Sequence, residues 1–233
     1  MESHALGEVA EAATAFRAQP DLEATLIEIV SQARRCLPEF EHVSVSRHGE
    51  GQRVETLGAT TDTARELDRL QGETNEGPCV DAMTADEVVT MQHADHEQRW
   101  PHYVRHALEL GLRSQLGVRL RSSKHGVVGL NLYSTSHDEI EPGSVGVAEH
   151  FAVHAGIALG HIREEEQLRT AIGTRTVIGT AVGIVMERFG LSRDQAFSYL
   201  VRQSSSANRK LRELAREMVE ETEQRSGDGR REP

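Results

Sequence analysis

Side chains able to hold a polyanion crowd into one short stretch near the carboxyl end: Arg202, Arg209, Lys210, Arg212 and Arg216, with the ring of Tyr199 close by. A guanidinium pairs with a phosphate or stacks on a base, an ammonium meets a phosphate as a point charge, and an aromatic ring receives an unstacked base. The chemistry this set suits is reversible capture of a nucleic-acid strand, not the making of bonds. The plainer reading is a solvated helix face stitched by i,i+4 pairs such as Arg209–Glu213 and Arg216–Glu220, and composition alone favours it.

Other reactive residues point to less. His93, His96, His102 and His106 have i,i+3 and i,i+4 spacings that suit a metal on a helix, but His93 and His96 fall in an expected loop. Surface histidines are the better reading, and no metal, haem or other cofactor is expected. Cys36 and Cys79 show no CxxC spacing, so they read as two buried or idle thiols. A redox role for Cys79 would need a lowered thiol pKa, which no neighbour in sequence supplies. The chain has no GxxxxGK[ST] phosphate loop, no HExxH, no GxSxG, no kinase set and no receiver-type acidic pair, so an enzyme is not expected.

The chain has 233 residues, 37% hydrophobic and 27% charged, which is enough apolar material for one or two packed cores. No apolar run approaches the roughly 20 residues of a membrane helix, and the first residues lack a signal-peptide pattern, so a cytoplasmic protein is expected. The net charge of -11 argues against a nucleic-acid partner until it is divided along the chain. Residues 1–167 carry 14 Lys+Arg against 28 Asp+Glu, whereas residues 168–225 carry 10 against 7. An acidic body joined to a basic end places any nucleic-acid module at that end.

The elements that must position these groups follow from periodicity. Residues 6–36 read as two helices divided by Pro20-Asp21, with Asp21 as N-cap. His42–His48 and Gln52–Gly58 alternate around Gly49-Glu50-Gly51 and predict a β-hairpin. A helix over Thr61–Leu70, an irregular stretch to Ala82, a short strand at Glu87–Met91 and a helix over His102–Leu110 follow. Leu112–Ser122 and Gly126–Ser134 read as two further strands, and a long helix starts near Ser144. Helices around an antiparallel sheet make an α+β domain. Along the long helix, Phe151, Ala155, Ala158 and Ile162 form a seam suited to pairing with a second helix, so a homodimer is expected. Glu164-Glu165-Glu166 and Gly173 weaken the seam and leave a merely exposed connector as the alternative.

From Ala171 the pattern gives three helices. The first runs to Phe189 and stops at Gly190; the second opens on a capping box, Ser192 to Gln195, and buries Phe197, Leu200 and Val201. Ser204-Ser205-Ser206 ends it and caps the third, whose stripe is Leu211, Leu214, Ala215 and Met218. Three such short stripes can be buried only against one another. On the third helix the opposite side carries Arg209, Arg212 and Arg216, with Lys210 toward one flank.

The stretch Arg175–Val219 resembles the ANTAR domain, a three-helix module of bacterial transcription antiterminators. The resemblance rests on Arg175, Ile178, Ala181-x-Gly183-x-x-Met186, Ala196-Phe197, Leu200, Ala207-Asn208, Arg209-Lys210 and Leu214-Ala215. It implies binding of RNA stem-loops in nascent transcripts, which prevents a terminator from forming. Carried over by position, the contacts are Arg202, Asn208, Arg209 and Lys210, with Ser204 and Arg212 beside them. The chain departs from the family at Val182, where Lys is common, and at Tyr199, where the residue is more often aliphatic.

Ahead of it, Glu76-Gly77-Pro78-Cys79, Arg99-Trp100-Pro101 and Gly129-x-Asn131-Leu132-Tyr133-Ser134 resemble the GAF domains that precede ANTAR modules in actinobacterial regulators. That likeness implies a small-molecule ligand or dimerisation, without naming the ligand. The expected layout is an N-terminal helical extension over 1–19, a GAF-like sensor over 20–162, a connector helix over 163–170, an ANTAR bundle over 171–225 and a polar tail over 226–233. Two other readings stay open: a DNA-binding regulator with a helix-turn-helix-like end, and a protein–protein signalling adaptor.

Overall fold

A computed structural model of the chain describes residues 2–48, 54–120 and 127–228, apart from the side chains of 2–6, 163, 166, 167 and 225–228. The expected turns at Gly49–Gly51 and between the last two strands, and the end of the polar tail, lie outside the described residues. The chain divides into two compact units, Met1–Arg163 and Glu164–Pro233.

In the first unit, α1 (Glu2–Arg17) and α2 (Leu22–Cys36) are separated at Pro20-Asp21. Asp21 caps α2 by accepting from the Ala24 amide at 2.8 Å, as its position before the apolar stripe predicts. Strands β1 (His42–His48), β2 (Val54–Ala59), β3 (Val88–Met91), β4 (Ser114–Leu120) and β5 (Val128–Ser134) form an antiparallel sheet in the order β2-β1-β5-β4-β3. Helices α3 (Asp62–Thr74), α4 (Pro78–Thr84) and α5 (Pro101–Glu109) fill the connections. The stretch expected to be irregular before Ala82 is therefore a helix in its second half. Pro78 at its first position explains this, since a residue with fixed φ and no amide starts a helix at no cost.

The sheet has two buried faces of opposite character. Val43, Val45, Leu116, Val118, Leu130 and Leu132 point to one side, where α1, α2 and the start of α6 (Ser144–Phe189) cover them. Ser44, Ser46, Gln115, Asn131 and Tyr133 alternate with them and are fully enclosed on the other. There, α4 comes so close to β4 that a Cβ on Gly117 would lie 2.8 Å from the Pro78 carbonyl oxygen, so that strand position must be glycine.

The helical seam expected to pair with a second chain is used up inside this unit. Phe151, Ala155 and Ala158 belong to the core beneath the sheet, and Phe151 meets Phe16 of α1 edge-to-face at 5.4 Å. Of the large apolar side chains of α6, Val153 and Ile157 stay exposed in this unit, and Leu168, Ile172 and Phe189 stay exposed in the second.

In the second unit, the later part of α6 packs with α7 (Arg193–Ser206) and α8 (Leu211–Asp228). The capping box at Ser192 is present in both directions: its hydroxyl accepts from the Gln195 amide, and the Gln195 side chain accepts from the Ser192 amide at 3.0 Å. The enclosed centre is Ala181, Val182, Val185, Ala196, Leu200 and Ala215. Phe197 and Val201, expected in that centre, are 45% and 39% exposed instead. Ala196 and Leu200 fill the α7 side of that centre, and Phe197 and Val201, each one residue further round the helix, turn about 100° away from it.

Candidate nucleic-acid interface

The basic residues gather at the turn from α7 to α8, and the turn is closed by its own hydrogen bonds. The Ser204 hydroxyl donates to the Arg209 carbonyl, and the Arg209 amide donates to the Ser204 carbonyl at 3.0 Å. Ser204 thus does not cap the third helix; it ties the end of the second to the residue before Lys210. Asn208 makes the reversal with φ of 50°, in the left-handed region that asparagine tolerates better than most residues. The Lys210 carbonyl accepts from the amides of Glu213 and Leu214 and so begins α8.

Asn208, Arg209, Lys210 and Arg202 are all exposed, as is Arg212, and Ser204 is half-buried. Arg209 and Lys210 precede α8 and so are not on its face; Arg209 instead reaches forward to Glu217, with Nη1 2.8 Å from Oε2. The pairing runs forward along α8, eight residues on, and is not the i,i+4 contact with Glu213 that spacing suggests. Arg202 stands near the end of α7 and Arg212 in the first turn of α8, on either side of the tied reversal. Tyr199, a candidate platform for a base, packs its ring on Phe189 at 5.4 Å.

Sequence reasoning missed a groove in the same unit. It has a volume of about 580 Å³, runs between α6 and α7, and includes Phe197 in its wall. The one available signal was glycine, Gly179 and Gly183, at helical spacing within an otherwise good helix former.

The enclosed polar face of the first unit is a second concentration of chemistry. The Asp68 carboxylate of α3 receives hydrogen bonds from Ser44, Thr56, Asn131 and Tyr133. The network continues through Gln71, which donates to the Tyr133 oxygen at 3.0 Å and accepts from the Cys79 amide at 2.8 Å. Burial raises the Asp68 carboxyl above the usual range despite these four donors. Burial, with Asp68 nearby, pushes the Cys79 thiol up to about 12, the reverse of what a reactive thiol needs. The Asn131 amide oxygen is enclosed and has no hydrogen-bond partner.

Comparison with known families decides what these two units are. A GAF domain model matches residues 19–160, and an ANTAR domain model matches residues 166–219. The chain belongs to the GAF domain family and carries an ANTAR domain. It is a GAF–ANTAR regulator.

No curated protein matches the chain. Solved structures share its fold at low identity. A bacteriophytochrome from the photosynthetic bacterium R. palustris is 10% identical with a TM-score of 0.59, covering 84% of this chain and 45% of its own. The phytochrome photosensory core module of Stigmatella aurantiaca is also 10% identical, at a TM-score of 0.60 over 84% of this chain and 44% of its own. A domain of a putative two-component sensor histidine kinase from Sinorhizobium meliloti is 12% identical with a TM-score of 0.53, over 65% of this chain and 99% of its own. The chain thus spans less than half the length of the two phytochrome chains.

Within the GAF domain two of the four candidate histidines, His93 and His96, have ring centroids 6.2 Å apart. His102 pairs with Glu76 at 2.6 Å, His93 lies 3.4 Å from Glu139, and His106 lies 3.8 Å from Glu109. No group of three or more His, Cys, Asp or Glu among the described residues is arranged to hold a metal ion. Among the same residues no helix is long and apolar enough to cross a membrane.

Proposed function

We propose that this GAF–ANTAR regulator is a cytoplasmic, non-enzymatic antiterminator that binds RNA stem-loops in nascent transcripts and so keeps a terminator from forming. The observation that carries the reading is the tied α7–α8 turn, which holds Asn208, Arg209 and Lys210 outward in sequence between Arg202 and Arg212. A preformed turn presents cations to phosphates without first losing chain entropy. Ser204 acts here by fixing the turn.

A DNA-binding end fits less well. A recognition helix lies along a groove walled by phosphates, whereas the exposed side of α8 interleaves Arg212 and Arg216 with Glu213, Glu217, Glu220 and Glu221. Cations concentrated at a turn suit a compact folded RNA. The protein acts as a homodimer through Leu168 and Ile172, exposed on the part of α6 that lies in the second unit. The GAF domain takes a small-molecule signal at its enclosed polar face, where the unpartnered Asn131 oxygen leaves an acceptor to be satisfied.

Filter binding with stem-loop RNA and duplex DNA of equal length tests the assignment. Preferential, salt-dependent retention of the RNA is expected; equal retention would favour the DNA reading, and none of either would favour an adaptor.

A further inference from the structure

We propose that the groove between α6 and α7 of the ANTAR domain is a second RNA-contacting site, which receives one unpaired base of the stem-loop while Arg175 and Arg193 hold the flanking phosphates. The inference rests on the RNA-binding reading and adds a site on another part of the bundle.

The lining of the groove is largely apolar and carries two cations. Ile178, Val182 and Met186 line it, and Phe197, which is 45% exposed, is part of its wall. An open phenyl ring beside a thioether is a stacking surface that any base can use. Arg175 and Arg193 belong to the same lining, which holds a single acid, Asp194. Among the described residues neither arginine makes an ion pair, so both guanidiniums remain available to phosphates.

Gly179 and Gly183 lie one turn apart on α6 and form part of the lining. Each costs the helix roughly 1 kcal/mol relative to alanine. The fold itself does not require them, because a Cβ at either position would meet nothing within 4 Å. What the missing side chains leave is a place where a flat ring can approach the helix backbone.

The groove also leads to the basic turn. On α7, Arg193, Phe197, Val201 and Ser204 fall within about 40° of one line, so Phe197 and the tied turn are joined along one face, about 10 Å apart at Ser204. A nucleic-acid loop held at Arg209 and Lys210 can follow that line to the groove. A second copy of the chain is the poorer occupant, because a groove with two arginines and one aspartate would meet its own excess of positive charge across a two-fold axis.

The test uses the full chain, stem-loop RNA with an unpaired loop, and the same RNA with abasic loop positions. Gly183→Leu fills the groove, and Gly183→Ala is the milder companion; both replace glycine by a better helix former, so their thermal midpoints should equal or exceed that of the natural chain. Gly183→Leu should nevertheless bind the intact stem-loop about tenfold more weakly, and Phe197→Ala should weaken it similarly. One abasic position should cost the natural chain the same factor and cost Gly183→Leu nothing more. Unchanged affinity in Gly183→Leu overturns the groove assignment while leaving RNA binding intact. A loss of affinity that accompanies dissociation in sedimentation gives the groove to a second copy and also overturns it. Failure of the natural chain to bind any stem-loop overturns both readings.

Discussion

Ser204 and Arg209 hold each other through two hydrogen bonds, hydroxyl to carbonyl and amide to carbonyl, and this pair closes the α7–α8 turn. Removing the hydroxyl in Ser204→Ala leaves the Arg209 carbonyl to water. The unfolding free energy should fall by about 1 kcal/mol or less. RNA affinity should fall further than that loss of stability explains, because the residues on either side of the reversal become mobile. Ser204→Thr should recover most of both, measured by denaturant titration and by equilibrium RNA binding.

The enclosed carboxyl of Asp68 gives stability a particular dependence on pH. Its pKa is raised in the folded chain, so the folded state holds the proton more tightly than the unfolded one. This contribution is fully present below the unfolded carboxyl value of about 4 and is lost as pH rises from there through the raised folded value. Asp68→Asn should flatten that part of the profile. Asp68→Ala should cost about 2–4 kcal/mol, because the donors of Ser44, Thr56, Asn131 and Tyr133 lose their acceptor. Urea denaturation at several pH values distinguishes the three proteins.

Neither cysteine should react as a native sensor thiol. Burial pushes Cys36 up to about 11 and Cys79 up to about 12, and Cys79 is fully enclosed beside the Ser46 hydroxyl at 3.3 Å. Alkylation at neutral pH should be slow in the folded protein and complete in denaturant, as followed by mass spectrometry. Rapid labelling of Cys79 in the native state would contradict the structure.

These regions differ in how much of them was legible in the sequence. The α2 cap at Asp21 and the capping box at Ser192 were readable because their partners are three residues away. The β1 alternation was readable as a strand, yet Ser44 and Ser46 were indistinguishable from a wet face. Only the covering helices α3 and α4, distant in sequence, make them internal. Phe151 was misread as part of a dimer seam because helical spacing identifies an apolar face and not what covers it. The basic turn was found by residue type, but its tie through Ser204 and the Arg209–Glu217 pair needed coordinates, since neither follows a helical period. The groove was missed because its marks are an absence, glycine, and a phenylalanine one residue round the helix from the enclosed Ala196.

Dimerisation, if it uses the exposed α6 residues, should be sensitive at Leu168 and Ile172, which are 63% and 64% exposed. Leu168→Glu combined with Ile172→Glu should shift sedimentation toward the monomer with no loss of helical content. A dimer unaffected by both changes would place the contact elsewhere.

The central claim is that the turn before α8 meets RNA phosphates, and the salt dependence of stem-loop binding tests it most directly. Replacing Arg209 and Lys210 together by alanine should weaken binding and reduce the slope of log affinity against log salt by roughly 0.7 for each phosphate that the turn no longer neutralises. Glu217→Ala, which frees Arg209 from its partner, should leave that slope unchanged or steepen it. A double variant with the natural slope and affinity would show that these cations do not touch RNA.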